Sequence, residues 1–308
     1  MSEITLLVPC HNAGRYLPRL VESVRAQTVP FARILCYDDA STDDTLGVAA
    51  DLGLEIIRGQ TNRGPAFARN RLADAARTEW VHYHDADDLL LPAYVERMSS
   101  ILLPDVDVAV CNMDWVTEST GGLEVAWRYS GERLAFDPVE ANLTNPVGVI
   151  ACVFRLEALR RVGGFDESLR TWEDADLQVR LALAGTRYRA LPEVLAIGLR
   201  NQTGASSNAD HMTECQMRLL EGYAHSLPAR YRDTVAAQAE RLAAWLLSGH
   251  RHPKVVTRCL KLCHELGWRV PSTSHPLLNA VRAVLPVRWA LQLQTLHRRR
   301  RARREQAG

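Results

Sequence analysis

The sequence lacks most of the features that announce a class on sight. No apolar run among its 308 residues approaches the ~20 needed to cross a bilayer, which excludes a membrane-spanning chain. The opening Met-Ser-Glu-Ile-Thr-Leu-Leu-Val-Pro has neither the basic start nor the small-residue cleavage site of a signal peptide. It reads as a first strand, and a cytoplasmic location is expected. No Walker-type phosphate loop and no Gly-x-Ser-x-Gly elbow occurs, which sets aside P-loop and serine-hydrolase chemistry. Seven cysteines, an odd number scattered over the length, make no disulfide framework and fit reduced thiols. In that setting the Asn-x-Thr sequons at Asn142 and Asn201 carry no meaning. The net charge is only +1 and no nucleic-acid-binding module accompanies the basic residues, so no nucleic-acid partner is expected.

What is present is an ordinary globular composition, 47% hydrophobic and 24% charged, on a chain long enough for one large α/β domain and an extension. Up to about residue 90, strand-length apolar runs (Ile4–Val8, Arg33–Tyr37, Glu55–Ile57, Trp80–Tyr83) alternate with amphipathic segments (Tyr16–Ala26, Asp44–Leu52, Pro65–Ala76). That rhythm predicts parallel strands with helices between them. Polar clusters follow three strands, at Cys10–Arg15, Asp38–Asp43 and His84–Asp88, and should converge on one crevice at the strand ends. Asp107–Phe154 is irregular and reads as further strands shaping a cleft. A helix follows Glu173-Asp174-Ala175-Asp176 and ends at Gly185. Beyond about His211 the pattern is helical, which divides the chain into residues 1–208 and a helical extension over 209–308.

Tyr83-His84-Asp85-Ala86-Asp87-Asp88 places three carboxylates directly after an apolar strand. Like charges this close need an offset, and a divalent cation with oxygen ligands supplies one and can bridge to a diphosphate. Helix capping or a solvated turn is the plainer alternative. In Tyr37-Asp38-Asp39-Ala40-Ser41-Thr42-Asp43-Asp44-Thr45, Ser41 or Thr42 can cap the next helix, with Asp43 and Asp44 in its first turn. Asp38 and Asp39 precede that cap, where a carboxylate can accept bonds from a ribose or a base. In Trp172-Glu173-Asp174-Ala175-Asp176, acidic residues either suit a helix N-terminus or include a base that takes a proton from an attacking hydroxyl.

These stretches, together with Val8-Pro9-Cys10-His11-Asn12-Ala13-Gly14-Arg15-Tyr16-Leu17, Ser23–Thr28, Asn62-Arg63-Gly64-Pro65-Ala66-Phe67-Ala68-Arg69-Asn70 and Gly163-Gly164-Phe165-Asp166-Glu167, resemble the family 2 glycosyltransferases of GT-A fold in order and spacing over roughly residues 3–205. The resemblance implies a Rossmann-like, mostly parallel sheet flanked by helices. It also implies inverting transfer of a sugar from a nucleotide-diphosphate donor, uridine diphosphate by preference, to a glycan, lipid-linked or other acceptor. It assigns nucleotide and donor contacts to Pro9, Asn12, Asp38, Asp39, Arg69, Asn70, Asp85 and Asp88. Mn2+ or Mg2+ falls to Asp87 and Asp85, and the general base to Asp174. Ala40 stands where relatives carry glycine, tolerable at negative φ. His84 replaces a commonly apolar residue, and Leu199–Ser206 matches the late donor-closing loop only loosely.

Two features stand outside the resemblance. Cys259-x-x-x-Cys263-His264 spaces its thiols one helical turn apart among leucines, which favours buried helix positions over zinc. The C-terminal segment joins Trp289 and leucines to a tail with six arginines and one glutamate between His297 and Glu305. Such a helix suits the anionic inner face of a membrane, and a packed helix with a solvated tail is the competing reading. A non-catalytic nucleotide- or carbohydrate-binding module and a nucleotidyltransferase are the competing functions.

Overall fold

The alternation of the first ninety residues folds into parallel strands with crossover helices. The computed structural model describes residues 2–200, 209–249 and 252–268, and the chain divides into two compact units, Met1–Ser207 and Asn208–Gly308. In the first unit, β1 (Ile4–Cys10) is buried along almost its whole length, as befits a strand with neighbours on both sides and helices on both faces. α1 (Leu17–Arg25) has Pro18 in its first turn, where the missing N–H costs nothing, and buries Leu17, Leu20, Val21 and Val24 as one helical stripe. β2 (Arg33–Asp38), α2 (Thr45–Asp51), β3 (Glu55–Arg58), α3 (Pro65–Ala75) and β4 (Trp80–Tyr83) follow. β1 pairs in parallel with β2 and β4, and β2 with β3, so the ends of β1, β2 and β4 open on the same edge.

The rest of the unit comprises β5 (Leu89–Leu90), α4 (Tyr94–Ser99), β6 (Val108–Thr117), β7 (Leu123–Trp127), α5 (Gly131–Phe136), α6 (Pro138–Thr144), β8 (Cys152–Arg155), α7 (Leu156–Arg161), α8 (Glu173–Leu183) and β9 (Tyr188–Arg200). The strand order is β3-β2-β1-β4-β8-β6-β9-β5, with β7 beside β6. The α/β architecture is as expected, but the parallel arrangement is confined to the first four strands and to the β6–β9 pair. β8 runs antiparallel to both β4 and β6, and β5 antiparallel to β9. The irregular stretch also holds two short helices. Ser130 and Asp137 cap them by accepting from the backbone N–H groups of Arg133 and Glu140. Asp137-Pro138-Val139-Glu140 is a readable start signal, overlooked because each helix is under two turns.

In the second unit, α9 (Ala209–Ser226), α10 (Arg232–Gly249) and α11 (Pro253–Glu265) pack together. Arg258 of α11 pairs with Glu214 and Glu221 of α9 at 2.5 Å each. Cys259 contacts the sulfur of Met217 at 3.3 Å and Cys263 the carbonyl of Ala236, so these thiols are helix-packing groups. All seven cysteines are free and buried. Residues 269–308, with the basic tail, lie outside the described residues, among which no helix is long and apolar enough to cross a membrane. Asn142 is buried, donating to Pro138 O and accepting from Val147 N, so its sequon has no exposed acceptor; Asn201 is not among the described residues.

Directly beneath the acidic turn after β4 lies a buried polar chain. His82 Nε2 meets His84 Nδ1 at 3.2 Å, while His82 Nδ1 lies 2.7 Å from Cys152 O and 2.9 Å from the Tyr94 hydroxyl. Burial pushes the His84 pKa down from 6.5 to about 3, and burial followed by the neighbouring His84 holds His82 well below its usual value. Below pH 6.5 the unfolded chain therefore takes up protons that the folded chain refuses, so stability is present above that pH and drains away toward about pH 3. The expected outcome for His84→Leu is a thermal midpoint that falls less steeply than wild type between pH 6.5 and 4, followed by circular dichroism. An identical slope in both proteins would show that the buried imidazoles carry none of the acid sensitivity.

Candidate active site

The loops after β1 and β2 are locked into one body. Asn12 N–H donates to Ser41 Oγ at 2.9 Å, and Asn12 Oδ1 accepts from Thr42 N at 2.8 Å and Asp43 N at 3.3 Å. Ala13 N–H donates to Thr45 Oγ1 at 2.8 Å and Gly14 N–H to Asp43 Oδ2 at 3.1 Å. Asn12 is thus spent on joining the two turns, at a φ of 52° that asparagine tolerates. The capping expected of Ser41 or Thr42 is absent. The helix opens later, at Thr45, and Asp43 accepts from Thr45 N at 3.0 Å, because Ser41 is engaged by the first loop.

Asp38 is buried and accepts from Ser41 N at 3.2 Å. Asp39 is buried as well, and its two oxygens accept from Arg63 N at 2.9 and 3.1 Å and from Gly64 N at 2.6 Å. Asp39 therefore clamps the loop that launches α3, a duty no local motif reveals. Pro9 pairs in register with Tyr37 at the same sheet edge. Asn70, an expected nucleotide contact, bonds to a neighbouring loop: Nδ2 donates to Phe165 O at 2.9 Å and Glu167 at 3.1 Å, and Oδ1 accepts from Phe165 N at 2.8 Å. Its hydrogen-bonding capacity holds the Gly163–Glu167 loop, where Gly164, at φ 70°, passes so close that an added Cβ would lie 2.4 Å from Asn70 Oδ1.

The acidic turn after β4 is divided by its partners. Asp85 accepts from Arg69 Nη2 at 2.7 Å, and the other arm of that guanidinium, Nη1, reaches Glu173 at 2.5 Å. Asp88, expected beside the donor sugar, is buried and accepts from Leu199 N at 2.7 Å, fastening the turn to the end of β9. Burial, then the charges of Asp85 and Asp87, push its pKa well up. The backbone carbonyl of Asp87 accepts from Arg19 Nη2 at 3.1 Å, and Arg19 pairs with Glu118 at 3.0 Å.

Asp174 lies in the first turn of α8, next to Glu173. It is half-buried, and loss of solvent around its carboxyl, followed by the Glu173 charge, pushes its pKa up to about 7, against the opposing pull of Arg69. The structure therefore joins Arg69, Asp85, Glu173 and Asp174 in one site. Glu173 is the member whose part went unseen, since a partner 104 residues away leaves no trace in local spacing.

Among the described residues no group of three or more His, Cys, Asp or Glu side chains is arranged to hold a metal. Ions of the Mg2+ type are usually held by one or two carboxylates with substrate phosphates and water completing the shell. Asp85 and Asp87 supply donors of that number and kind. Of the late loop, only Leu199 and Arg200 are among the described residues.

A Rossmann-like half-sheet with acidic turns at its strand ends, joined to a mixed extension and a carboxylate-headed helix, has the architecture of the GT-A fold. The family model described as Glycosyl transferase family 2 matches residues 5–163, and the chain belongs to that family. It is 30% identical over 265 residues to the pre-mycofactocin glycosyltransferase of Mycobacterium tuberculosis, an alignment that takes in 80% of this chain and 52% of that protein. The succinoglycan biosynthesis protein ExoU of Rhizobium meliloti is 28% identical over 214 residues, 62% of this chain and 60% of the relative. The chain thus spans about half the length of the first relative and under two thirds of the second. Among solved structures, Staphylococcus aureus TarS 1–349 in complex with UDP-GlcNAc superposes with a TM-score of 0.66 at 18% identity, covering 86% of this chain and 80% of that one. The mannosyltransferase PcManGT of Pyrobaculum calidifontis, in complex with GDP-Man and Mn2+, gives 0.60 at 18% identity, covering 96% and 85%. These two likenesses establish the fold.

Backbone strain gathers at this edge. Ala40 has a φ of 56° and Trp172 one of 65°, both in the left-handed region that costs an L-residue ~1–2 kcal/mol. Ala40 thus does not meet the condition of negative φ under which alanine replaces glycine without strain, because the bonds between Asn12 and the Ser41–Asp43 segment fix the turn that Ala40 enters. Ala40→Gly is expected to stabilise the protein by roughly 0.5–1 kcal/mol, relief of strain outweighing the added freedom of the unfolded chain. Urea denaturation checks this; a loss of stability would show that the turn is not strained.

Proposed function

We propose that this member of glycosyl transferase family 2 is an enzyme that moves a sugar from a nucleotide-diphosphate donor, a uridine diphosphate sugar by family resemblance, to a hydroxyl of a glycan, lipid-linked or other acceptor, by one inverting displacement. The observation that carries the reading is Asp174, a carboxylate desolvated to a pKa of about 7 and linked through Glu173 and Arg69 to Asp85 of the turn proposed to face the donor. A base poised near neutrality both accepts a proton readily and is substantially ionised at working pH. Asp174 takes the proton of the acceptor hydroxyl as its oxygen bonds to the anomeric carbon. The bond from that carbon to the diphosphate breaks, and the nucleoside diphosphate leaves with the electron pair.

The nucleotide is assigned to the edge formed by Pro9, Asp38 and Asp39. Asp87 and Asp85 are assigned to Mn2+ or Mg2+, which when bound neutralises charge building on the departing diphosphate. The complexes of the two structural neighbours, one with UDP-GlcNAc and one with GDP-Man and Mn2+, support a nucleotide-sugar donor and a metal. Attachment of the basic tail to an anionic membrane face rests on the sequence alone.

Two outcomes are expected. Asp174→Asn lowers transfer by about 10²–10⁴-fold while nucleotide affinity stays near wild type, and wild-type kcat/KM rises with pH through about 7, because the base must lose its proton first. Full transfer by the variant removes Asp174 from the role. Titration calorimetry of uridine diphosphate is expected to show binding that Mn2+ strengthens and that loses its metal dependence in Asp87→Ala. No binding with or without metal would point to another nucleotide or to a non-catalytic module, and release of pyrophosphate in place of a nucleoside diphosphate would mark a nucleotidyltransferase.

A further inference from the structure

Arg69 was expected to touch the donor, but its surroundings give it another task. Its side chain is only 4% exposed, and a buried guanidinium is tolerated only where carboxylates and hydrogen bonds replace water. Both replacements come from functional segments: Asp85, after β4, and Glu173, the first residue of the helix that carries Asp174. Burial alone would lower the arginine pKa, and the two carboxylates more than reverse that, so the cation is permanent. The Phe165 ring lies 5.4 Å from the guanidinium carbon, and the Tyr83 hydroxyl donates to the Arg69 carbonyl at 3.3 Å. The planar fork is therefore aimed, and its two arms set the separation of the segments they hold. Arg69 Nε is buried with no hydrogen-bond partner among the described residues, so the orientation follows the two acids and not the fullest use of its donors.

We propose that Arg69 is a positioning residue that ties the Asp85–Asp88 turn to the start of the base-bearing helix, fixing where Asp174 stands and how readily it holds a proton, without itself contacting the sugar or the nucleotide. The proposal rests on Asp174 as the base. The charged and titratable groups that face Asp174 are Glu173 on its own helix, Arg69 on α3 and Asp85 after β4, with Tyr129 and Cys152 also within its field. Arg69 favours the ionised carboxylate, whereas Glu173 and Asp85 oppose it. Lysine cannot replace this arginine, because a point charge on a flexible stem reaches one acid or the other and not both in a fixed plane.

The test follows the Asp174 carboxyl directly. Protein labelled with 13C at aspartate carboxyls is titrated by NMR without substrate, the Asp174 signal being identified by its loss in Asp174→Asn. Arg69→Gln is expected to raise the midpoint by about 1 unit or more and Glu173→Gln to lower it. Arg69→Lys, which keeps the buried charge should the glutamine variant not fold, is expected to give an intermediate midpoint. In activity assays Arg69→Lys is expected to lose kcat by about 10²-fold through misplacement of the base, with nucleotide Kd little changed. An Asp174 midpoint that stays put in all three variants would overturn the proposal. So would a tenfold loss of nucleotide affinity with kcat intact, which would make Arg69 a donor contact. Because the NMR titration needs no turnover, its result stands even if no sugar transfer is found, which keeps failure of this inference distinct from failure of the proposed reaction.

Discussion

Carboxylates held by backbone amides are what the cleft edge depends on. Asp39 accepts from Arg63 and Gly64, Asp43 from Gly14 and Thr45, Asp38 from Ser41, and Asp88 from Leu199. A side-chain oxygen that accepts from a main-chain N–H fixes the loop at its backbone. Each of these acids joins segments that sequence order keeps apart. The cluster of negative charge that suggests metal chemistry is thus also the mortar of the site, and only part of it remains available to a ligand.

That double use explains what could and could not be read from the sequence. The parallel strands β1 to β4 were legible because each is a bounded apolar run followed by polar turn residues, and α1 because its buried stripe repeats with helical period. The acidic turns were legible as chemistry, and Asp174 as a base, through family motifs. What stayed hidden was who partners whom. The aspartate motif after β4 reads as two metal ligands, Asp87 and Asp85, with Asp88 at the donor; its sequence gives no sign that Asp85 also pairs with Arg69 and Asp88 with Leu199, a residue 111 positions away. Asn12 and Asn70 look like ligand contacts in a motif, which does not show that they also tie loops together. The antiparallel insertion of β8 between β4 and β6 depends on long-range pairing that periodicity does not encode.

Asp174 shows what such placement costs. Its carboxyl binds a proton more tightly when folded than when unfolded, where its pKa is near 3.8, so raising the pH through about 7 removes stability from the native state. The desolvation that suits Asp174 to the role proposed for it is for the same reason a point of weakness. The strained Trp172 immediately before α8 adds to that cost in the same turn.

The seven buried thiols offer something apart from catalysis. Cys10, Cys36, Cys111 and Cys152 lie in the first unit, and Cys215, Cys259 and Cys263 in the second. Burial pushes the pKa of Cys111, Cys259 and Cys263 up to about 12, so little reactive thiolate exists while the chain is closed. An alkylating reagent therefore counts openings of the native state. Each unit carries its own set of clocks, and the order in which the labels arrive reports which unit lets go first.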